Sequence, residues 1–131
     1  MLLSSACLWL ALAPGLPAAT PLPVIFSDGQ SFAEREGDVI YRSVCQACHM
    51  PDGRGDRGAG IYPSLIANPK LGAKGYVAYM VVNGAKAMPA FGGMMDDEQV
   101  AAVVNYLRLR FNNGRGEDIT PAEVRALRQQ L

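Results

Sequence analysis

The chain has 131 residues, half of them apolar, and its 12 basic residues are balanced by 12 acidic ones. That length fits one small domain, and the charge balance argues against a nucleic-acid binder or a protein held to an anionic membrane by its charge.

Residues 2–12 form an almost unbroken apolar run, followed by Pro14, Gly15, Pro17 and the small residues Ala18, Ala19 and Thr20. A membrane-spanning helix needs about 20 apolar residues, so the shorter run with its small-residue exit reads as a secretory signal peptide over residues 1–20. No Lys or Arg precedes the run, which leaves retention of the segment as an anchor as the alternative. Cys7 is expected to leave with the peptide. Export brings the mature chain into an oxidising compartment, taken here as the bacterial periplasm, and no membrane span remains after signal removal. Residues 21–30 contain Pro and no periodic pattern, and form a linker or N-terminal arm.

Ser31 with Glu34 three positions on has the pattern of a capping box, and Phe32, Val39, Ile40 and Val44 fall near one face. The spacing predicts a first helix over residues 32–44 that delivers Cys45 at its end. Next comes Cys45-Gln46-Ala47-Cys48-His49. Two thiols at this spacing can each add to a vinyl group of one haem, and a His directly after the second is placed to ligate the iron: the pattern is a c-type haem attachment signature. A zinc site needs four ligands, and beyond this cluster the chain offers only Cys7 and no second His. A thioredoxin-type pair would need a βαβ pattern around it, and none is visible.

Residues 51–60 are too rich in Gly for helix or strand and read as a loop passing close to something flat. In Tyr62-Pro63-Ser64-Leu65, the Pro63 carbonyl is the candidate acceptor for the ring nitrogen of His49 that does not face the iron. A second helix is predicted over residues 73–82, ended by Asn83-Gly84. The loop that follows carries Met88-Pro89-Ala90-Phe91. A thioether there can return across the haem to the sixth iron position; Met94 and Met95 are its rivals, but they abut the next helix. That third helix is predicted from Asp96, with Gln99 completing a capping box, through about Leu109. A polar turn leads to Thr120-Pro121-Ala122-Glu123, the start of a short final helix.

Taken together, Gly37 with Tyr41, the Cys45–His49 motif, Tyr62-Pro63-Ser64-Leu65, Asn83-Gly84 leading to Met88-Pro89-Ala90-Phe91, and a closing helix with Val103 and Tyr106 resemble a class I cytochrome c in order and spacing. The resemblance covers residues 31–110 as the cytochrome domain and leaves 111–131 as a C-terminal extension. It implies an all-α fold of three to five helices wrapped around one covalent haem c, with crossing first and third helices. It also implies thioether bonds to Cys45 and Cys48, axial His49 and Met88, and Pro63 and Leu65 as further haem-binding residues. The extension and the Met88 loop are similar to small cytochrome subunits of periplasmic dehydrogenases, such as flavocytochromes of the p-cresol methylhydroxylase kind.

With both axial positions filled by protein, substrate has no access to the metal, and one-electron exchange remains. The expectation is a carrier without catalysis of its own, serving a flavin, quinoprotein or molybdenum dehydrogenase chain and passing electrons to a downstream acceptor. The alternatives are a free shuttle to a terminal oxidase and, further off, a haem-based ligand sensor. Between Met50 and Met88 five basic residues (Arg54, Arg57, Lys70, Lys74, Lys86) face two acidic ones, a hint of a mildly positive docking surface.

Overall fold

The computed structural model describes residues 31–58, 60–112 and 116–130. The expected signal peptide, the arm over 21–30 and Cys7 lie outside the described residues. What is described is helical, with no strand among these residues and only two isolated bridges, Asp56 with Tyr62 and Ala85 with Met88.

The first helix, α1 (residues 37–49), is continuous but not uniform: Gly37–Ile40 is α-helical, Tyr41–Cys45 forms a wider π turn, and Gln46–His49 returns to α. The expected span is therefore wrong at both ends. No capping box forms at residues 31–34; Glu36 stands at the N-cap without a side-chain bond. The reason lies on another helix. The buried Gln99 amide donates to the carbonyls of Phe32 and Glu34, 2.7 Å each, and the Phe32 N–H donates to the Met94 carbonyl. Those bonds hold residues 32–34 extended along the start of the third helix, so the backbone groups a helical turn would need are already committed. At the other end, the Gln46 N–H reaches back to the Tyr41 carbonyl, and this wide turn carries the helix on through both cysteines to His49.

A 3₁₀ turn, Pro69–Gly72, capped by the Asn68 side chain, leads into α2, Lys74–Asn83. Gly84 ends it with its N–H on the Met80 carbonyl, at φ 67° and ψ 179°: the positive φ expected of Asn-Gly, but with an extended ψ in place of the left-handed helical cap. The next helix, α3, Asp97–Phe111, opens on the expected Asp96/Gln99 capping box. Last comes α4, Pro121–Gln129, opened by a Thr120/Glu123 capping box with Pro121 in its first turn.

The site depends on one crossing. A Cβ added to Gly37 would lie 2.2 Å from the Ala102 carbonyl oxygen, so only Gly lets α1 approach α3 this closely. Beside it the Tyr41 ring packs on Tyr106 and Phe111, with centroids 5.6 and 5.3 Å apart. Ile40, Val100, Val103 and Val104 fill the seam with no exposed surface. The C-terminal segment joins this core: Ile119 and Val124 are buried, Asn105 exchanges two hydrogen bonds with the Ile119 backbone, and Lys74 pairs with Glu123 at 2.9 Å.

Candidate functional site

Cys45 ends the π turn and Cys48 lies in the α segment that follows, so the helix holds both thiols half-buried; neither forms a disulfide. Burial pushes the Cys45 thiol up to about 12, against the opposing pull of its backbone hydrogen bond. The strand and βαβ surroundings of a thioredoxin-type pair are not found among the described residues, where the two cysteines lie on one continuous helix. Among the described residues no three His, Cys, Asp or Glu side chains gather in a group suited to a metal ion, as a zinc site would require.

After His49 the chain reverses. Met50 takes φ 63°, and its carbonyl accepts from the Tyr41 hydroxyl at 2.6 Å and from the Gly53 N–H. That phenol is itself pushed up to about 12, chiefly by burial and further by neighbouring Cys45, so it remains a donor throughout the ordinary pH range. Gly55 donates to the His49 carbonyl, and Leu65 donates to the Gly53 carbonyl at 2.7 Å. A side chain at Gly55 would strike the Tyr62 carbonyl at 2.1 Å. The loop therefore closes tightly on itself and brings the Pro63 carbonyl to 3.0 Å from His49 Nδ1. A carbonyl can only accept, so Nδ1 carries a proton and the ring turns Nε2 away from Pro63, the orientation in which the neutral imidazole can ligate a metal through Nε2. Leu65 is buried in the core beside this loop.

Met88 closes a two-residue hairpin. Ala85 and Met88 exchange both backbone hydrogen bonds, at 3.1 and 2.9 Å, with Lys86 at φ 53° in the turn. The Met88 side chain is half-buried and leans on the same hydrophobic cluster as Cys45. Of its rivals, Met95 is 4% exposed and is a core residue. Met94 sits in the turn before α3, where its carbonyl holds Phe32. The structure thus joins His49 to Pro63 by a hydrogen bond and packs Cys45 and Met88 against one shared core. The donor set suits a covalent haem: two unpaired thiols, an imidazole of fixed orientation and a half-buried thioether.

Two residues matter here that sequence reasoning missed or only half saw. Gln99 was legible as a cap but not as the clasp on residues 32–34. Arg128 was not singled out at all, and an Arg in an amphipathic final helix carries no signal that would mark it. Its guanidinium donates to the carbonyls of Gly92 and Met95 at 2.6 and 2.7 Å and pairs with Asp97 at 2.8 Å. The positive surface expected around the site is thinner than the count implied, because Lys74 is paired with Glu123, an acid from outside the counted stretch.

A family model described as cytochrome c oxidase, cbb3-type, subunit III, matches residues 32–107. The chain is 32% identical over 95 residues to the fructose dehydrogenase cytochrome subunit of Gluconobacter japonicus, a match covering 61% of this chain and 19% of that protein. With the gluconate 2-dehydrogenase cytochrome c subunit of Pantoea cypripedii it shares 32% identity over 109 residues, covering 71% of this chain and 24% of the relative. A cytochrome c6 from Picosynechococcus is likewise 32% identical over 109 residues, but here the match covers 75% of this chain and 93% of the relative. The chain thus spans about a quarter or less of the dehydrogenase subunits and nearly all of the small cytochrome.

Proposed function

This chain belongs to the c-type cytochrome family matched over residues 32–107, a family of electron carriers with covalently bound haem c, and we propose that Cys45 and Cys48 hold the haem while His49 and Met88 ligate its iron. When bound, haem c supplies a one-electron couple between ferrous and ferric iron. The rest is the work of the polypeptide. Cys45 and Cys48 anchor the group through thioether bonds to a helix braced by the Gly37 crossing. Pro63 holds the His49 ring in one orientation through the 3.0 Å bond to Nδ1, and the hairpin at Ala85 and Met88 presents the thioether. Leu65 supplies apolar cover, which excludes water and limits reorganisation when the charge changes.

The observation that carries this reading is the His49–Pro63 bond, since it fixes a ligating orientation in an otherwise half-buried ring. Acid–acetone treatment of the matured protein is expected to leave all colour on the polypeptide, and Met88→Ala to change the ligand-field spectrum of the ferric form. Haem released into the solvent would refute the thioether assignment; an unaltered spectrum in the variant would refute the distal one.

The chain has no catalysis of its own in this reading. It is exported to the periplasm by residues 1–20, carries its cytochrome domain over residues 31–110 and accepts electrons from a dehydrogenase catalytic chain, as the names of two relatives support. A second reading, a free shuttle to a separate acceptor, is favoured by the match to nearly the full length of a cytochrome c6. Co-purification with a large catalytic chain supports the first; a monomer isolated without one supports the second.

A further inference from the structure

We propose that Arg128, on the helix beyond the family-matched segment, is a positioning residue for Met88: it locks the far end of the Met88 loop and so sets how firmly the thioether is held in place. The inference rests on the reading of Met88 as an iron ligand.

The loop between α2 and α3 is fastened at both ends. At its start, Gly84 donates to the Met80 carbonyl, and a Cβ there would lie 2.4 Å from the Met88 carbonyl oxygen, so the chain turns with no slack. Past Met88, the N–H groups of Phe91 and Gly92 donate to the carbonyls of Val81 and Val82, each at 3.0 Å. Within the turn the Phe91 carbonyl accepts from Met94 and Met95 and the Met94 carbonyl from Phe32, and Arg128 takes the carbonyls of Gly92 and Met95. Nη1 donates to Gly92 and Nη2 to Met95, while Nε pairs with Asp97 in the first turn of α3. All three nitrogens of the planar fork are engaged, a geometry no other side chain supplies. The Arg128 and Asp97 side chains are 25% and 16% exposed, which shields these charge-assisted bonds from water.

A plain anchoring role for α4 explains less. The helix is already seated by the buried Val124, by the Asn105–Ile119 exchange and by the Lys74–Glu123 pair. Arg125 shows what anchoring alone looks like: it pairs with the same Asp97 at 3.1 Å, with no bond to the 92–95 turn. Arg128 spends two of its bonds on the loop. A neutral thioether is a weak ligand whose hold depends on its local concentration at the metal, so freeing the Gly92 and Met95 carbonyls lets the loop swing and gives a competing ligand its chance.

The test is an imidazole titration of the matured ferric protein, followed by the ligand-field absorption, alongside thermal melts. Arg128→Ala is expected to bind imidazole roughly tenfold more tightly than the parent, the scale on which groups supporting a metal ligand usually act. Arg128→Lys is expected to fall between the two, since a single ammonium nitrogen lacks the rigid fork that lets three nitrogens reach Gly92, Met95 and Asp97 at once. Arg125→Ala is expected to match the parent. An Arg128→Ala protein that melts lower but binds imidazole with the parent's affinity overturns the inference; should that variant fail to mature, parent-like affinity in Arg128→Lys does the same. If Met88→Ala keeps the parent's imidazole affinity, the ligand assignment itself fails and the inference goes with it.

Discussion

At Gly37 two preferences oppose each other. In an isolated helix Ala is favoured over Gly by about 1 kcal/mol. Here its methyl would meet the Ala102 carbonyl oxygen at 2.2 Å and the Tyr106 Cβ at 2.9 Å. The first obstacle is backbone, which has no rotamer to give, so α1 and α3 must part, and overpacking of that kind costs about 1–3 kcal/mol or more. The clash outweighs the propensity. Gly37→Ala is therefore expected to lower stability by about 2 kcal/mol, measured by urea unfolding of the matured protein, and to loosen the Tyr41–Tyr106 contact. A variant at least as stable as the parent would mean the crossing is more compliant than the close approach implies. The position was legible in the sequence because Gly37 and Tyr41 stand one helical turn apart and match the pair on the closing helix. Arg128 was not, because hydrogen bonds from one guanidinium to carbonyls far away in sequence leave no pattern in composition or spacing.

Helix ends show the same division. The stop of α2 and the starts of α3 and α4 are readable from Asn83-Gly84, Asp96 with Gln99 and Thr120 with Glu123, because each signal is completed within its own few residues; the end of α3, expected near Leu109, comes at Phe111. The start of α1 departs from its local pattern: Ser31 and Glu34 have the spacing of a cap, but Gln99 on α3 claims the adjoining carbonyls. A local pattern lost to a buried amide from elsewhere in the fold. The cap of α4 also makes that helix acid-sensitive. Glu123 is held at about 2, from an ordinary 4.5, first by Lys74 and then by the Thr120 backbone and hydroxyl. A carboxyl depressed in the folded state contributes its full stabilisation above the unfolded value and loses it as the pH falls. The contribution is thus present above pH 4.5 and fades from there down to about 2. Protection of the α4 amides from hydrogen exchange is expected to drop across that window, and Glu123→Gln to flatten the drop while weakening the helix at neutral pH. Added salt is expected to shrink the effect, since the pair is exposed. Equal acid sensitivity in the Gln variant would assign it to other groups.

For the whole molecule, the distribution of charge bears on how it meets a redox partner. The chain is balanced at 12 basic and 12 acidic residues, and six of its cations are paired in place among the described residues: Arg35 with Asp96, Arg42 with Asp38, Arg54 with Asp52, Lys74 with Glu123, Arg125 and Arg128 with Asp97. Such pairs contribute little to stability one by one, but they cancel the field at the distance of a Debye length, about 8 Å at physiological ionic strength. The surplus of cations between Met50 and Met88 is therefore a weaker lure than the sequence suggests, because Lys74 is answered by acids from the C-terminal segment that a count along the loops does not include. Reduction by small anionic and small cationic redox reagents is expected to differ in rate by less than about threefold at low ionic strength, where a steered encounter gains tenfold or more. Stopped-flow measurement from low to high salt checks this. A steep fall of the anionic reagent's rate with salt would mean that Arg57, Lys70 and Lys86 act together as a docking patch; a shallow one leaves recognition of the partner to shape and apolar contact around the site.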